Sequence, residues 1–368
     1  MLSRVVDRII KLNHLHEKDY FIFGDRIDPK HQIAAKINLK KQLLIILLLI
    51  FTFVLPAAAQ DSNYIEKFDD WITLKLAIEN NADIYTFDTD PLKFVFEPNP
   101  KELLRAYFSY RFISFYLTYA PHSWPGNNDD EEKGRSKVFA LGTRFTTHQW
   151  FTELAVSYTK GFYLENTKDF RPDWRPGDPY FQVPKLQVLS FEGLTGYNTN
   201  PRLSLNAINS QTERQMKSAG AFLPMLYYSY FVIDNRDTGF SQKTNNFQVL
   251  LGAGYHHTFV IAKTLYAFAS FIPSFGYVNT RLLTRDPNQG GYIVSNSTSP
   301  IYQWDAKVGL GYNAHRFFAG AYLTGTSSKN SQGLTTAVNE NGRLFLQLFA
   351  GVRLKAPRIL KQAFDKIF

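Results

Sequence analysis

The stretch Trp304-Asp-Ala-Lys-Val-Gly-Leu-Gly-Tyr-Asn313 alternates strictly between apolar and polar residues. Trp304, Ala306, Val308, Leu310 and Tyr312 fall on one side of an extended chain, and Asp305, Lys307, Gly309, Gly311 and Asn313 on the other. The apolar side is bulky, while the polar side mixes charges of both signs with glycines. A wall with lipid outside and a wet, crowded lumen inside has that pattern.

Similar segments recur. In Trp150–Leu164 the alternation sets Trp150, Leu154, Val156, Tyr158 and Phe162 outward, and Glu153, Ala155, Ser157 and Thr159 inward. In Leu344–Leu354 the outward set is aliphatic, with Gln347, Gly351 and Arg353 inward. An arginine on the lipid face would cost roughly 2–4 kcal/mol at mid-bilayer, which fixes the register. Further strands are predicted over Ile72–Phe87, Leu103–Tyr110, Ile113–Ala120, Ser136–Phe145, Ala219–Ile233, Phe247–His257, Leu265–Asn279 and Arg316–Thr326.

Connections give an independent constraint. Segments 146–149, 259–263 and 314–315 are short, and Arg111-Phe112 serves as a two-residue turn. Segments 121–135, 165–185, 234–245, 281–302 and 328–342 are long and rich in Gly, Asn, Asp, Pro and Ser. Outer-membrane barrels put short turns in the periplasm and long loops outside. Short and long alternate as required if the region 187–209 crosses once, either bent at Gly193–Pro201 or with part of it lying in the loop layer. The expected fold is an all-β, transmembrane, antiparallel up-and-down barrel of about twelve strands, with fourteen if Leu92–Glu97 also crosses. Trp304–Asn313 then descends toward the periplasm.

Bulk composition agrees. Aromatic residues make up 16% of the 368, natural for interfacial girdles, yet the mean hydropathy is slightly negative. A helical membrane bundle is thereby excluded, whereas a barrel strand needs only every second residue to be apolar. With no cysteine, disulfides, thiolate metal sites and cysteine nucleophiles are excluded. The net charge of +9 includes +4 from residues 1–59 (nine basic, five acidic), leaving +5 with no dense basic stripe. Nucleic-acid binding is not indicated.

At the N-terminus, Lys40-Lys41, the apolar run Leu43–Leu55 and Pro56-Ala-Ala-Ala59 read as a signal peptide over 39–59, cleaved between Ala59 and Gln60. The run is too short for a spanning helix. Residues 1–38 are then a mis-started leader or a cytoplasmic extension; Leu39 is the candidate true start, refuted by any leucine codon there other than TTG or CTG. The barrel occupies 60–354. Residues 355–368 form a basic amphipathic periplasmic tail, with Ile359, Leu360, Ala363, Phe364 and Ile367 on one helical face.

The chemistry is sparse. Inward ionisable residues are Arg105, Arg111, Arg144, Glu153, Asp305, Lys307 and Arg353, read either as a polar conduit or as a mutually satisfied ion-pair network, the second being favoured. His256-His257 point to opposite faces of a strand, which argues against a shared metal ion. Asp129-Asp-Glu-Glu132 reads as a solvated loop tip, or as a Ca²⁺ or lipopolysaccharide-bridging site. His122 lies in an outer loop without an evident serine partner, and no Gly-x-Ser-x-Gly, P-loop or dinucleotide fingerprint is present.

Phe96-Glu-Pro-Asn99, the Tyr107–Leu117 hairpin and above all Glu213-Arg-Gln-Met-Lys-Ser-Ala-Gly-Ala-Phe222 resemble signatures of an outer-membrane family of Bacteroidota, the domain-of-unknown-function family 4421. Ala221 departs from it, a serine being expected there. The resemblance covers roughly Tyr64–Leu354; it implies an outer-membrane β-barrel and lends no catalytic residue or substrate. Within it, Glu213, Arg214, Gln215 and Lys217 form a periplasmic segment that can fold up into the lumen, bond to Glu153 or Asp305 and close the floor, or dock a periplasmic partner. The expected function is a non-enzymatic barrel in the outer membrane of a Gram-negative bacterium, a narrow channel or a structural component of the envelope. A binding, adhesion or partner-docking module is the alternative, and an outer-membrane lipid hydrolase the second. Expected partners are outer-membrane lipid, lipopolysaccharide, the barrel-assembly machinery and an unidentified periplasmic protein, with no cofactor, metal or nucleic acid.

Overall fold

Twelve strands close into an antiparallel barrel in the computed structural model, which describes residues 63–80, 84–89, 92–235, 242–285, 291–330, 337–338 and 343–367. The leader, the signal peptide and the Ala59–Gln60 boundary lie outside the described residues. In chain order the strands are β1 (Trp71–Glu79), β2 (Leu103–Tyr110), β3 (Ile113–Tyr119), β4 (Lys137–Thr147), β5 (Trp150–Leu164) and β6 (Phe181–Tyr197). The second half comprises β7 (Ala219–Asn235), β8 (Gln242–Ala262), β9 (Leu265–Arg285), β10 (Tyr292–Asn313), β11 (Phe317–Asn330) and β12 (Arg343–Lys355). Every strand pairs with its neighbours in sequence, and β12 joins β1 to close the barrel. Among the described residues no helix is long and apolar enough to cross a membrane.

Alternation does what the sequence asked of it. On β10 Trp304, Val308, Leu310 and Tyr312 are exposed on the outer wall, whereas Gly311 and Asn313 are buried. Leu76, Ile78, Leu141, Leu154, Leu251, Leu346 and Leu348 continue the apolar belt around the barrel. Aromatic residues edge it: Tyr119, Phe139, Tyr230, Phe247 and Tyr277 toward the long-loop end, and Trp150, Phe222, Phe259, Tyr312 and Phe317 toward the short-turn end. The core lies in the lumen, where inward rings pack on inward glycines. Phe268 and Tyr322 lie over Gly309, so that any side chain there would enter their rings.

Several boundaries differ from the sequence reading. The segment 187–209 does cross once, but as a strand ending at Tyr197, after which the chain turns into the barrel instead of bending within the wall. Ile72–Phe87 is not one strand, because β1 ends at Glu79. Tyr85–Thr89 pairs instead with Leu92–Glu97, which touches β5 only through Phe96 and Glu97 and so makes no crossing. Two of the long outer loops are mostly strand: β7–β8 stay paired to Asn235–Gln242, and β9–β10 to Arg285–Tyr292. Spanning needs only about 9–11 residues, so the 21 and 22 residues of β9 and β10 carry the sheet beyond the lipid. Their Asn, Ser and Thr resemble loop composition because no apolar face is needed once lipid is left behind.

Phe162 also departs from expectation. It is buried at 1% exposure, because Gly161, at φ +85°, makes a bulge where the β5–β6 register shifts. Two steps on β5 (Lys160–Phe162) oppose four on β6 (Gln187–Val183), and the positive φ of Gly161 reverses the alternation of β5 beyond it. Phe162 therefore turns inward and meets Tyr85, Leu186, Val188 and Ile233 in an apolar cluster at the long-loop mouth. Ala337–Val338 pairs with Tyr85–Thr89 across that mouth.

Candidate functional site: a floored lumen

The short-turn end is filled by the chain itself. Ile65–Lys67, just before β1, pairs antiparallel with Glu213–Gln215, just before β7, in a two-stranded sheet. Between β6 and that sheet a four-residue helix, Asn206–Asn209, carries Ile208 inward against Tyr266, Phe268, Tyr322 and Phe349. Leu203 and Leu205 pack on Phe151, Ala221 and Leu223 of the wall. Small wall residues and large floor residues interdigitate, as dense packing requires.

Polar groups of this floor are bonded internally. The Ser204 hydroxyl donates to Glu213 (2.6 Å), whose carboxyl is raised above its ordinary pKa chiefly by burial, against the lowering effect of that bond. Gln215 accepts from the Ser204 amide and donates to the carbonyls of Arg202 and Lys217, each at 2.8 Å. Gln211, fully buried at φ +54°, donates to the hydroxyl of Tyr322 (3.2 Å). Arg214 pairs with Glu66 of the opposing floor strand, not with Glu153 or Asp305 as expected, because the two floor strands face one another and hold Arg214 at their own level. Lys217 stays exposed at the underside, 5.2 Å from the ring of Tyr64.

Arg353 fastens the floor to the wall. Its guanidinium, in a side chain 2% exposed, donates to the carbonyls of Gln211, Ala314 and His315 and to Asn313 Oδ1 (2.6 Å), and lies 3.8 Å from the ring of Phe68. It contributes to the floor and not to a polar conduit.

Above the floor lies a cavity of about 240 Å³, bounded by Lys75, Glu79, Arg105, Tyr107, Tyr116, Arg144, Glu153, Lys307 and Tyr322, with Ile208 and Asn209 beneath. Arg105 pairs with Glu79 (2.7 Å) and Arg144 with Glu153. Four predicted lumen residues, Arg105, Arg144, Glu153 and Lys307, thus come together; Lys75 and Glu79 were missed, although the same alternation in Trp71–Glu79 sets them inward. Asp305 accepts from Gln303 (3.0 Å) and is not part of the cavity lining. Arg111 is no lumen residue. At φ +52° it forms the β2–β3 turn, and its guanidinium reaches Asp365 (2.7 Å) of the C-terminal helix Arg358–Ile367. That helix packs Phe364 against Tyr110 and ties Lys361 to Asp70 (2.6 Å).

The remaining candidates fall apart spatially. His256 is buried against Phe268 and bonded to Thr258 (3.1 Å), while His257 lies outside near Tyr255. The acidic run is no free loop tip: Asp130–Lys133 is a short helix, with Asp129 paired to Lys133 and Asp130 accepting from Asn99. His122 bonds to Asp130 (2.8 Å), which raises the imidazole pKa above its ordinary value. Among the described residues no serine hydroxyl bonds to a histidine, and no group of three or more His, Asp or Glu is placed to hold a metal ion.

The sequence profile of a family described as a domain of unknown function (DUF4421) matches residues 59–354. No curated protein matches the chain. Among solved structures, the in-vitro folded outer membrane protein OmpT of Vibrio cholerae is similar at 7% identity and a TM-score of 0.30, over 79% of this chain and 97% of that one. The outer membrane protease OmpT from Escherichia coli is similar at 8% identity and 0.32, over 78% and 96%. A major outer membrane protein from Thermus thermophilus follows at 10% identity and 0.24, over 77% and 99%. Identities and scores this low carry nothing about activity.

Proposed function

Because the chain belongs to this family of unknown function (DUF4421), which brings no activity with it, we propose a function from the lumen alone. The protein is a non-enzymatic barrel in the outer membrane of a Gram-negative bacterium, a narrow polar conduit held shut by its own floor. Its outer wall contacts outer-membrane lipid and lipopolysaccharide, and the barrel-assembly machinery inserts it. The observation that carries closure is the docking of 198–218 across the short-turn end, with Gln211 buried against Tyr322 and Arg353. An outer-membrane hydrolase would need a serine–histidine pair near the outer rim. His122 in an outer loop bonds to Asp130 (2.8 Å), the orienting half of a serine–histidine–aspartate array, and among the described residues no serine hydroxyl bonds to it.

The test is conductance in planar bilayers. The intact chain is expected to stay silent, and a variant with 203–212 replaced by a Gly-Ser linker of equal length to conduct steadily. Steady conductance from the intact chain, or silence from both, overturns the proposal. A partner-docking role has one observation in its favour. Arg202 and Lys217 flank Tyr64 on the underside of the floor, at 5.0 and 5.2 Å from its ring, offering a cationic aromatic patch toward the periplasm.

A further inference from the structure

We infer that the cavity above the floor is a binding site for a small inorganic oxyanion of the phosphate or sulfate class. Six charged side chains border it: Lys75, Arg105, Arg144 and Lys307 against Glu79 and Glu153. Each carboxylate already has an arginine, in the pairs Arg105–Glu79 and Arg144–Glu153. Four cations against two anions leave an excess of two positive charges, and both reside on lysines.

Neither ammonium is met by an acid. Lys75, only 3% exposed, donates to the carbonyl of Asn209 (2.6 Å) and sits 3.9 Å from the ring of Tyr107. Lys307 has the faces of Tyr322 (4.8 Å) and Phe268 (5.8 Å) and, among the described residues, no hydrogen-bond acceptor. An ammonium carries three N–H donors, so most of these face the cavity unmet. Two charges of one sign inside a low-dielectric wall repel each other and carry a desolvation penalty, relieved either by loss of a proton or by an anion brought between them.

The two lysines are joined through one aromatic wall. Lys75 lies 5.2 Å from the ring of Phe349, Lys307 lies over Tyr322, and those rings are 4.7 Å apart. An anion between them takes N–H donors from two sides. The volume of about 240 Å³ exceeds the roughly 30 Å³ share of one water several-fold, enough for an ion of four or five heavy atoms with some of its hydration. The positive excess selects against cations. The barrel wall surrounds the cavity and shuts out a lipid headgroup tethered to its acyl chains, so the ligand is a free ion. The cavity rests on the docked floor, whose Asn209 carbonyl holds Lys75, but the inference does not require that the floor shut a conduit.

The test is thermal unfolding of the full chain, purified in detergent, titrated with phosphate or sulfate against chloride at equal ionic strength. The wild type is expected to gain a saturable rise in melting temperature with the oxyanions and none with chloride. Lys307→Met and Lys75→Met should each weaken the apparent affinity at least tenfold. In buffer free of oxyanion, Lys307→Met should melt no lower than wild type, since the lost charge had no counter-ion. Bilayer vesicles containing a phospholipid or lipopolysaccharide headgroup should not compete with phosphate. A rise equal in chloride, a rise undiminished in both lysine variants, or competition by the headgroup overturns the inference. Should Lys75→Met fail to fold, Lys307→Met with the chloride control decides alone.

Discussion

Replacing Arg353 with methionine removes the donor that holds the floor while keeping an apolar stem beside Phe68 and Phe318. The guanidinium bonds to three carbonyls and to Asn313 Oδ1 in a site from which water is excluded. Hydrogen bonds to a charged group contribute about 1.5–3 kcal/mol each and do not add independently. Removing the donor leaves the Gln211 carbonyl and Asn313 Oδ1 unmet, at about 1–3 kcal/mol for each buried group, which without full additivity comes to about 3–5 kcal/mol. At about 1.4 kcal/mol per tenfold, the undocked population of the floor should rise roughly 10²- to 10⁴-fold. Hydrogen–deuterium exchange over 203–215 in detergent reads this directly, and single-channel recording should show brief openings absent from wild type. Arg353→Lys, with one ammonium in place of the planar fork, should fall between. Exchange over 203–215 within threefold of wild type in Arg353→Met, together with unbroken silence, would refute the reasoning.

Arg214→Ala with Gln215→Ala removes the Glu66 pair and the bonds to Arg202, Ser204 and Lys217, so the temperature at which the folded band is lost on gels should fall, and rare conductance should appear. Gly309→Ala should lower the melting temperature by the equivalent of about 1–3 kcal/mol of overpacking, because its methyl meets the rings of Phe268 and Tyr322; Gly325→Ala, whose added carbon would lie 3.5 Å from Trp304, should not. The His122–Asp130 contact should depend on pH. Its imidazole pKa is raised in the folded loop, so the contact is fully present below the ordinary value of 6.5 and is lost as pH climbs through the raised one. Proteolysis of 120–136 should then be faster at pH 8.5 than at 5.5, and His122→Ala should remove the difference.

Period-2 alternation was enough to orient β10, the lower part of β5 and β12, because lipid outside and packed polar groups inside reward opposite residues at each step. Turn lengths gave the direction of each strand. What escaped was decided by single residues or by distant pairing. Gly161 reverses the phase of β5 at one bulge, and nothing in the surrounding composition marks it. Arg111 reads inward by alternation, but a two-residue turn with positive φ swings it to the C-terminal helix. Arg214 finds Glu66, 148 residues away, because a floor strand pairs with another floor strand, and no local pattern announces that. Lys75 and Glu79 obey the same alternation within Trp71–Glu79, but the β-prone pattern runs on into Tyr85–Thr89 and blurs where the wall strand ends. The two lysines without acids could not be recognised until every carboxylate around them had been assigned a partner.

The two-stranded floor has a consequence for assembly. One of its strands immediately precedes β1, and β1 forms the seam with β12. The N-terminal segment therefore belongs to two closures at once, and each unites residues far apart in sequence. Such long-range pairings are slow to find by chance. With only Phe68–Asp70 between the two strands, whichever closure forms first brings the other's partners within reach. Circularising the wall and sealing its base are thereby linked steps of one folding event.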